Sequence, residues 1–127
     1  MPRLFTLDEA NALLPRLREI LADVRRAVAE LEQTAGEAGE LLWKVRGNGH
    51  NVAEEAFDRE QSARQAVNHQ ISRVHELGCE LKDVRLGLID FPSRREGETV
   101  YLCWKLDEAE VGFWHPLDVG FAGRQPL

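Results

Sequence analysis

The chain has 127 residues, of which 43% are hydrophobic and 30% are charged, and these values predict a single globular domain over residues 1–127. Its formal net charge of −6 argues against nucleic acid as a partner, because phosphate binding needs a surplus of positive charge, and against an anionic membrane surface. No apolar run approaches the ~20 residues of a membrane span. Asp8 and Glu9 interrupt the opening MPRLFTLDEANALL, which therefore lacks a signal-peptide pattern, and we expect a cytoplasmic protein.

The first half of the chain predicts two long helices. The TLDE sequence at residues 6–9 has the pattern of a capping box, in which the Thr and Glu side chains bond each other's backbone N–H. Pro15 predicts a kink, or a short helix followed by a new one. Two glycines mark a turn at residues 46–51, and a second helix is predicted from about Val52 to Leu77. Gly78 is expected to end that helix as a left-handed cap.

The predicted first helix carries a long apolar seam. Apolar residues recur at alternating spacings of three and four from Leu14 to Val45, a heptad pattern that is typical of coiled-coil packing. Two such helices would reach roughly 40 Å at 1.5 Å per residue, further than a small sheet can cover. We therefore expect a homodimer through the helical hairpin, and the alternative is a monomer whose helices bury each other.

After the second helix the apolar period becomes twofold, which predicts a three-stranded antiparallel meander. Strands are predicted at residues 86–91, 99–106 and 110–115, with Arg94 and Arg95 in the turn after the first strand. The predicted fold class is α+β. A long, coiled-coil-like antiparallel hairpin over about residues 6–78 is followed by a small sheet and a C-terminal segment over about residues 84–127.

Four motifs, FTLDEANALLP, ELKDVRLGLIDFP, VYLCWKL and FWHPLDVGFAGRQPL, follow one another along the chain. With these motifs the chain resembles, over essentially its whole length, the bacterial family of domain of unknown function 2203. The resemblance implies no activity, so the functional hypotheses depend on the residues themselves.

The strand ends supply candidate metal ligands. His115 ends a predicted strand directly before Pro116, and Asp90 lies at the end of another, next to Phe91-Pro92; the two would converge at one edge of the sheet if those strands are neighbours. Histidine with carboxylates suits a divalent metal ion, and it also suits an acid–base pair. Asp118 and Glu9 are the further candidate ligands. A structural hydrogen bond between His115 and Asp90 is the simpler alternative, and no HExxH spacing indicates a known metalloenzyme class.

Other side chains are candidate ligand contacts. Arg124 lies in an apolar terminus and needs an acidic partner if it is buried, so it predicts either a structural salt bridge to one of the candidate metal ligands or an anion site. Arg94 and Arg95 could grip a phosphate or a carboxylate, and a solvated turn is the alternative. Trp104 is a further candidate contact, for which core packing is the simpler interpretation.

Two functional hypotheses follow from these residues. The leading hypothesis is a small cytoplasmic oligomeric module that binds a protein partner or a small ligand at a polar pocket formed by the sheet edge and the C-terminus. The alternative is a divalent-metal-binding protein, or a metal-dependent enzyme, that uses His115 with acidic residues. Cys79 and Cys103 match no metal-binding spacing and are expected to be free thiols.

Overall fold

A computed structural model describes residues 3–44 and 50–127, and the side chains of residues 3–35 and 54–127. Its longer elements are two helices and five strands, named in chain order as α1 (Leu7–Lys44), α2 (His50–Glu76), β1 (Glu80–Asp83), β2 (Leu88–Arg95), β3 (Glu98–Trp104), β4 (Phe113–Pro116) and β5 (Gln125–Pro126). The strands form one antiparallel sheet in that order. The predicted α+β class, a helical hairpin followed by an antiparallel sheet, is confirmed. The sheet has five strands where three were predicted, because β1 and β5 add a short strand at each edge.

The chain divides into two compact units. One unit contains the sheet, with the chain up to Leu21 and from Ser72 to Leu127; the other is the part of the hairpin from Ala22 to Ile71. The hairpin unit buries a small apolar set, Val24, Ala27 and Ala56. Most of the turn predicted at residues 46–51 lies outside the described residues, and homodimerisation stays a prediction. Within the described residues, neither helix has an apolar stretch long enough to cross a membrane.

Helix α1 begins with the predicted capping box. The Thr6 N–H donates to Glu9 Oε1 over 2.9 Å, and the Glu9 N–H donates to Thr6 Oγ1 over 3.1 Å. The helix then continues through Pro15, so the predicted new helix at that point is wrong. A proline inside a helix costs about 3 kcal/mol. Leu14 and Leu17 on either side are 2% and 0% exposed, and burial of each leucine contributes about 1.5–3 kcal/mol, which offsets that cost.

Strand β2 runs further than predicted, from Leu88 to Arg95 and through Pro92. The Pro92 carbonyl accepts a hydrogen bond from the Phe5 N–H over 2.7 Å. In an antiparallel strand the nitrogen and the carbonyl of one residue point to the same side. Because the Pro92 carbonyl points toward Phe5 and away from β3, its nitrogen does too, and the lack of an N–H on Pro92 costs no hydrogen bond to β3. Glu96 and Gly97, with φ of 52° and 81°, form the two-residue turn to β3, and this places Arg94 and Arg95 in the strand rather than in the turn.

The two faces of the sheet differ in what covers them. On one face Ile89, Phe91 and Trp104 have no exposed surface, and the Phe5 ring packs edge-on against Phe91 with 5.3 Å between centroids. On the opposite face, residues 117–121 of the segment after β4 lie beside Asp90 and His115. The chain then pairs with β4 at the edge of the sheet as β5, and the Leu127 N–H donates to the Gly112 carbonyl over 2.9 Å. The C-terminal segment is therefore an integral part of the fold, and polar side chains lie on the face opposite the helices.

Candidate metal centre

Strand register brings three potential ligands to the face of the sheet that the helices do not cover. Asp90 in β2 is the direct partner of Cys103 in β3, and His115 in β4 is the partner of Tyr101, two residues before Cys103. Because side chains alternate between the two faces of a strand, Asp90, Cys103 and His115 all lie opposite the buried Phe91. Each of three neighbouring strands thus contributes one side chain to the cluster.

The three side chains form a buried cluster. Asp90, Cys103 and His115 are 3%, 0% and 2% exposed, and their potential ligand atoms all lie within 4.8 Å of one another. His115 Nε2 is 3.1 Å from both Asp90 Oδ1 and Oδ2. Asp90 and His115 do converge, but not at a sheet edge between neighbouring strands as predicted: β3 lies between β2 and β4, and the two side chains meet across the face of β3. Cys103 was not predicted as a ligand from the sequence. The alternation of apolar residues in its strand did indicate that Cys103, like Tyr101, points away from the core.

The other ring nitrogen of His115 determines what can lie between the imidazole and Asp90. His115 Nδ1 is 2.9 Å from the Pro116 carbonyl oxygen, which can only accept, so Nδ1 carries a proton. In a neutral imidazole Nε2 then presents a lone pair to a carboxylate that also has only lone pairs to offer. A cation between the two groups, either a proton or a metal ion, resolves this repulsion. A carbonyl bonded to the far ring nitrogen is also the usual partner of a metal-ligating histidine.

Cys103 is held as a neutral thiol in the absence of a metal ion. Burial, followed by the charge of the nearby Asp90 carboxylate, raises the pKa of Cys103 to about 12, and the Arg124 guanidinium opposes part of this rise. A coordinating metal ion reverses this preference, because a thiol that binds a metal is deprotonated outright. Burial similarly raises the pKa of Cys79 to about 11, but Cys79 has no place in the cluster.

Arg124 lies beside the cluster. Its guanidinium forms an ion pair with Glu108, stacks at 3.6 Å from the Phe113 ring centroid and places Nη1 3.9 Å from Cys103 Sγ. Its acidic partner is Glu108, whereas the sequence predicted that one of the candidate metal ligands would fill this role. The predicted salt bridge that anchors the C-terminal segment is therefore present, with a different carboxylate.

A pocket of about 230 Å³ opens next to the cluster. Asp90 and His115 both line it, and so does Asp118, which is exposed and belongs to the segment after β4. The pocket also includes Tyr101, whose hydroxyl bonds the Glu80 carboxylate; this bond is the main reason that the pKa of Tyr101 is raised to about 12. Among the predicted ligand contacts, neither Arg124 nor Trp104 lines this pocket, and the binding role predicted for a pocket near the C-terminus stays a prediction.

The remaining predicted site residues lie elsewhere. The Glu9 carboxylate is engaged with Thr6, whose hydrogen bonds lower the pKa of Glu9, on the side of the sheet that carries Phe5. Trp104 has no exposed surface and its indole N–H donates to the Glu108 carbonyl over 2.8 Å, so it is a core residue. Arg94 and Arg95 line a different pocket of about 560 Å³.

The comparisons with known proteins give a family and no activity. Residues 3–127 match the family model described as uncharacterized conserved protein, DUF2203. No curated protein and no solved structure matches the chain. Because the family model covers nearly the whole chain, the resemblance noted from the motifs is confirmed, and the protein belongs to the DUF2203 family.

Proposed function

We propose that this protein binds a divalent metal ion through Asp90, Cys103 and His115. The observation that carries the proposal is the pairing of His115: its two ring nitrogens lie 2.9 Å from the Pro116 carbonyl oxygen and 3.1 Å from the Asp90 carboxylate, two acceptors that a neutral imidazole cannot both satisfy. A metal ion between these atoms would satisfy both groups at once. The cluster also contains a sulfur, an imidazole nitrogen and a carboxylate, which together are a complete set of protein ligands for an open metal site.

The donor set favours zinc among the common divalent ions. Thiolate and imidazole ligands suit zinc, whereas magnesium and calcium prefer oxygen ligands throughout. Two ligand atoms bound to one tetrahedral zinc ion lie roughly 3.3–3.6 Å apart for bond lengths of about 2.0–2.3 Å. The 3.1 Å separation of His115 Nε2 and Asp90 is close to this range, and the upper limit of 4.8 Å for the cluster requires an approach of about 1.5 Å at most.

The competing occupant of the gap is a proton. A doubly protonated His115 would donate to both the Pro116 carbonyl and Asp90, and the pair would then be a structural salt bridge that needs no metal. Cys103 distinguishes the two states, because a structural pair has no need of the thiol whereas a metal site uses it as a ligand.

The test measures metal content and cobalt spectra. Protein purified without a chelator or an affinity tag should contain close to one equivalent of zinc by elemental analysis. Cobalt loaded in place of zinc should give an intense sulfur-to-metal charge-transfer band that is lost in Cys103→Ser. Cys79→Ser is the matched control, because Cys79 is equally buried, and it should retain the band. A metal-free protein that takes up no cobalt, or a charge-transfer band that survives Cys103→Ser, would contradict the proposal.

The rest of the proposal follows the hypotheses drawn from the sequence. The protein would act as a small binding module in the cytoplasm, where a reducing environment keeps Cys103 available as a ligand. A homodimer through the helical hairpin remains part of this proposal. No reaction is assigned to the metal centre.

A further inference from the structure

We infer that the pocket beside the candidate metal centre binds a small organic monocarboxylate with a compact apolar body. The carboxylate would take the open coordination position of the metal, so this inference rests on the proposed function. It identifies the class of small ligand that the binding module recognises.

Access to the metal is one-sided. Asp90 and His115 line the pocket, whereas Cys103 has no exposed surface and is not part of the lining. A metal ion held by all three would therefore have the sulfur behind it and the pocket in front. Three protein ligands leave a fourth position for water or for an exogenous ligand, which is the arrangement of reactive rather than structural zinc sites.

The charges around the pocket favour a monoanion over a dianion as the ligand of the metal. Among the described lining residues, histidine aside, Lys82 carries the one positive charge, and its Nζ lies 4.9 Å from the Tyr101 ring centroid. Its ion pair with Glu80 is long, at 3.9 Å, and exposed, so Lys82 can turn toward an anion at little cost. Asp118 also lines the pocket and would repel a doubly charged phosphate, and no arginine of the described lining offers a bidentate grip.

The remaining wall is apolar and comes mainly from the segment after β4. Its side chains are Leu88, Leu117, Val119 and Phe121. Of these, Leu117, Val119 and Phe121 are 52%, 38% and 38% exposed, so a ligand that covers them removes apolar surface from water. A volume of about 230 Å³ equals the space of about seven or eight water molecules at ~30 Å³ each, enough for a branched or ring-bearing acid of a few carbons.

The experiment uses the full chain loaded with cobalt. Acetate, 3-methylbutanoate, benzoate and inorganic phosphate are titrated separately, and the visible d–d bands of cobalt report direct coordination. We expect 3-methylbutanoate and benzoate to shift these bands and to bind about tenfold or more tightly than acetate, because each buried CH₂ contributes ~0.8 kcal/mol. Phosphate should bind more weakly than any of the three carboxylates.

Lys82→Gln should weaken binding of 3-methylbutanoate about tenfold, because a charged hydrogen bond is lost, with unchanged affinity for cobalt. Arg94→Gln is the control, since Arg94 is exposed and lines a different pocket, and it should match the unaltered protein. Bound cobalt whose spectrum no carboxylate alters would overturn the inference and leave the proposed function intact, and so would tighter binding of phosphate or equal affinities for acetate and 3-methylbutanoate. Failure to bind cobalt at all would refute both.

Discussion

The pairing of Asp90 with His115 predicts a large energetic coupling in the metal-free protein. The two side chains are 5% and 3% exposed, so removal of either one leaves a buried polar partner without its hydrogen bond. Breaking a buried pair from one side costs ~3–5 kcal/mol. Asp90→Ala and His115→Ala should each lower the free energy of unfolding by that amount. The double variant leaves no buried partner without its hydrogen bond. Its loss in the free energy of unfolding should therefore be smaller than the sum of the two single losses, by ~2–3 kcal/mol.

The assay is urea unfolding followed by circular dichroism at neutral pH, with EDTA present throughout. Asp118→Asn serves as the control, because Asp118 is exposed, and should change stability by no more than ~0.5 kcal/mol. In a parallel series with zinc at a hundredfold excess over its Kd, the unaltered protein should gain ~2.7 kcal/mol, and the Asp90 and His115 variants should gain far less. Single losses below ~1 kcal/mol that add in the double variant would refute the buried pairing of Asp90 and His115.

Three further predictions concern other parts of the molecule. Burial is the main reason that the pKa of Cys103 rises from 9.0 to about 12, so the neutral thiol stabilises the metal-free fold fully below about pH 9 and loses that contribution as the pH rises toward 12. In urea unfolding at a series of alkaline pH values, the free energy of unfolding should therefore fall less steeply with pH in Cys103→Ala than in the unaltered protein. Arg124→Ala, which breaks the half-buried ion pair with Glu108, should lower stability by ~1–3 kcal/mol, and Glu108→Gln should lose less because it keeps a hydrogen-bond acceptor. Sedimentation at micromolar concentration should give the mass of a dimer, and Phe57→Glu, at an apolar side chain that is 57% exposed, should shift the sedimenting species toward monomer.

Local patterns in the sequence predicted the elements whose signals are themselves local. The Thr6–Glu9 capping box is present, and the alternation of Leu102 and Trp104 with outward-facing neighbours places those two side chains in the core. Gly78 has a φ of +95°, as a left-handed helix cap requires. These features depend on residues within one turn or one strand of each other, and the sequence displays them directly.

The missed elements depend on contacts between distant segments. Strand β1 has the sequence ELKD and β5 has QP, and neither shows the apolar alternation of an independent strand. Each forms by pairing with an edge that the meander already provides, as when Pro126 lies opposite Phe113. The same limit explains Cys103: its neighbours in sequence contain no ligand, and only the register of three strands brings it to Asp90 and His115.

The position of the cluster on the sheet decides whether a metal ion would be structural or functional. The apolar core around Phe91 and Trp104 lies on the opposite face and forms without any contribution from the cluster. Small zinc-dependent domains unfold when the metal is removed, because the metal replaces a core that they lack. Here the core is independent of the site, so the metal-free protein should remain folded and lose only the stabilisation that metal binding adds. A metal ion that the fold does not need, next to a pocket that Asp90 and His115 line, is better explained by a ligand-binding role than by a structural one.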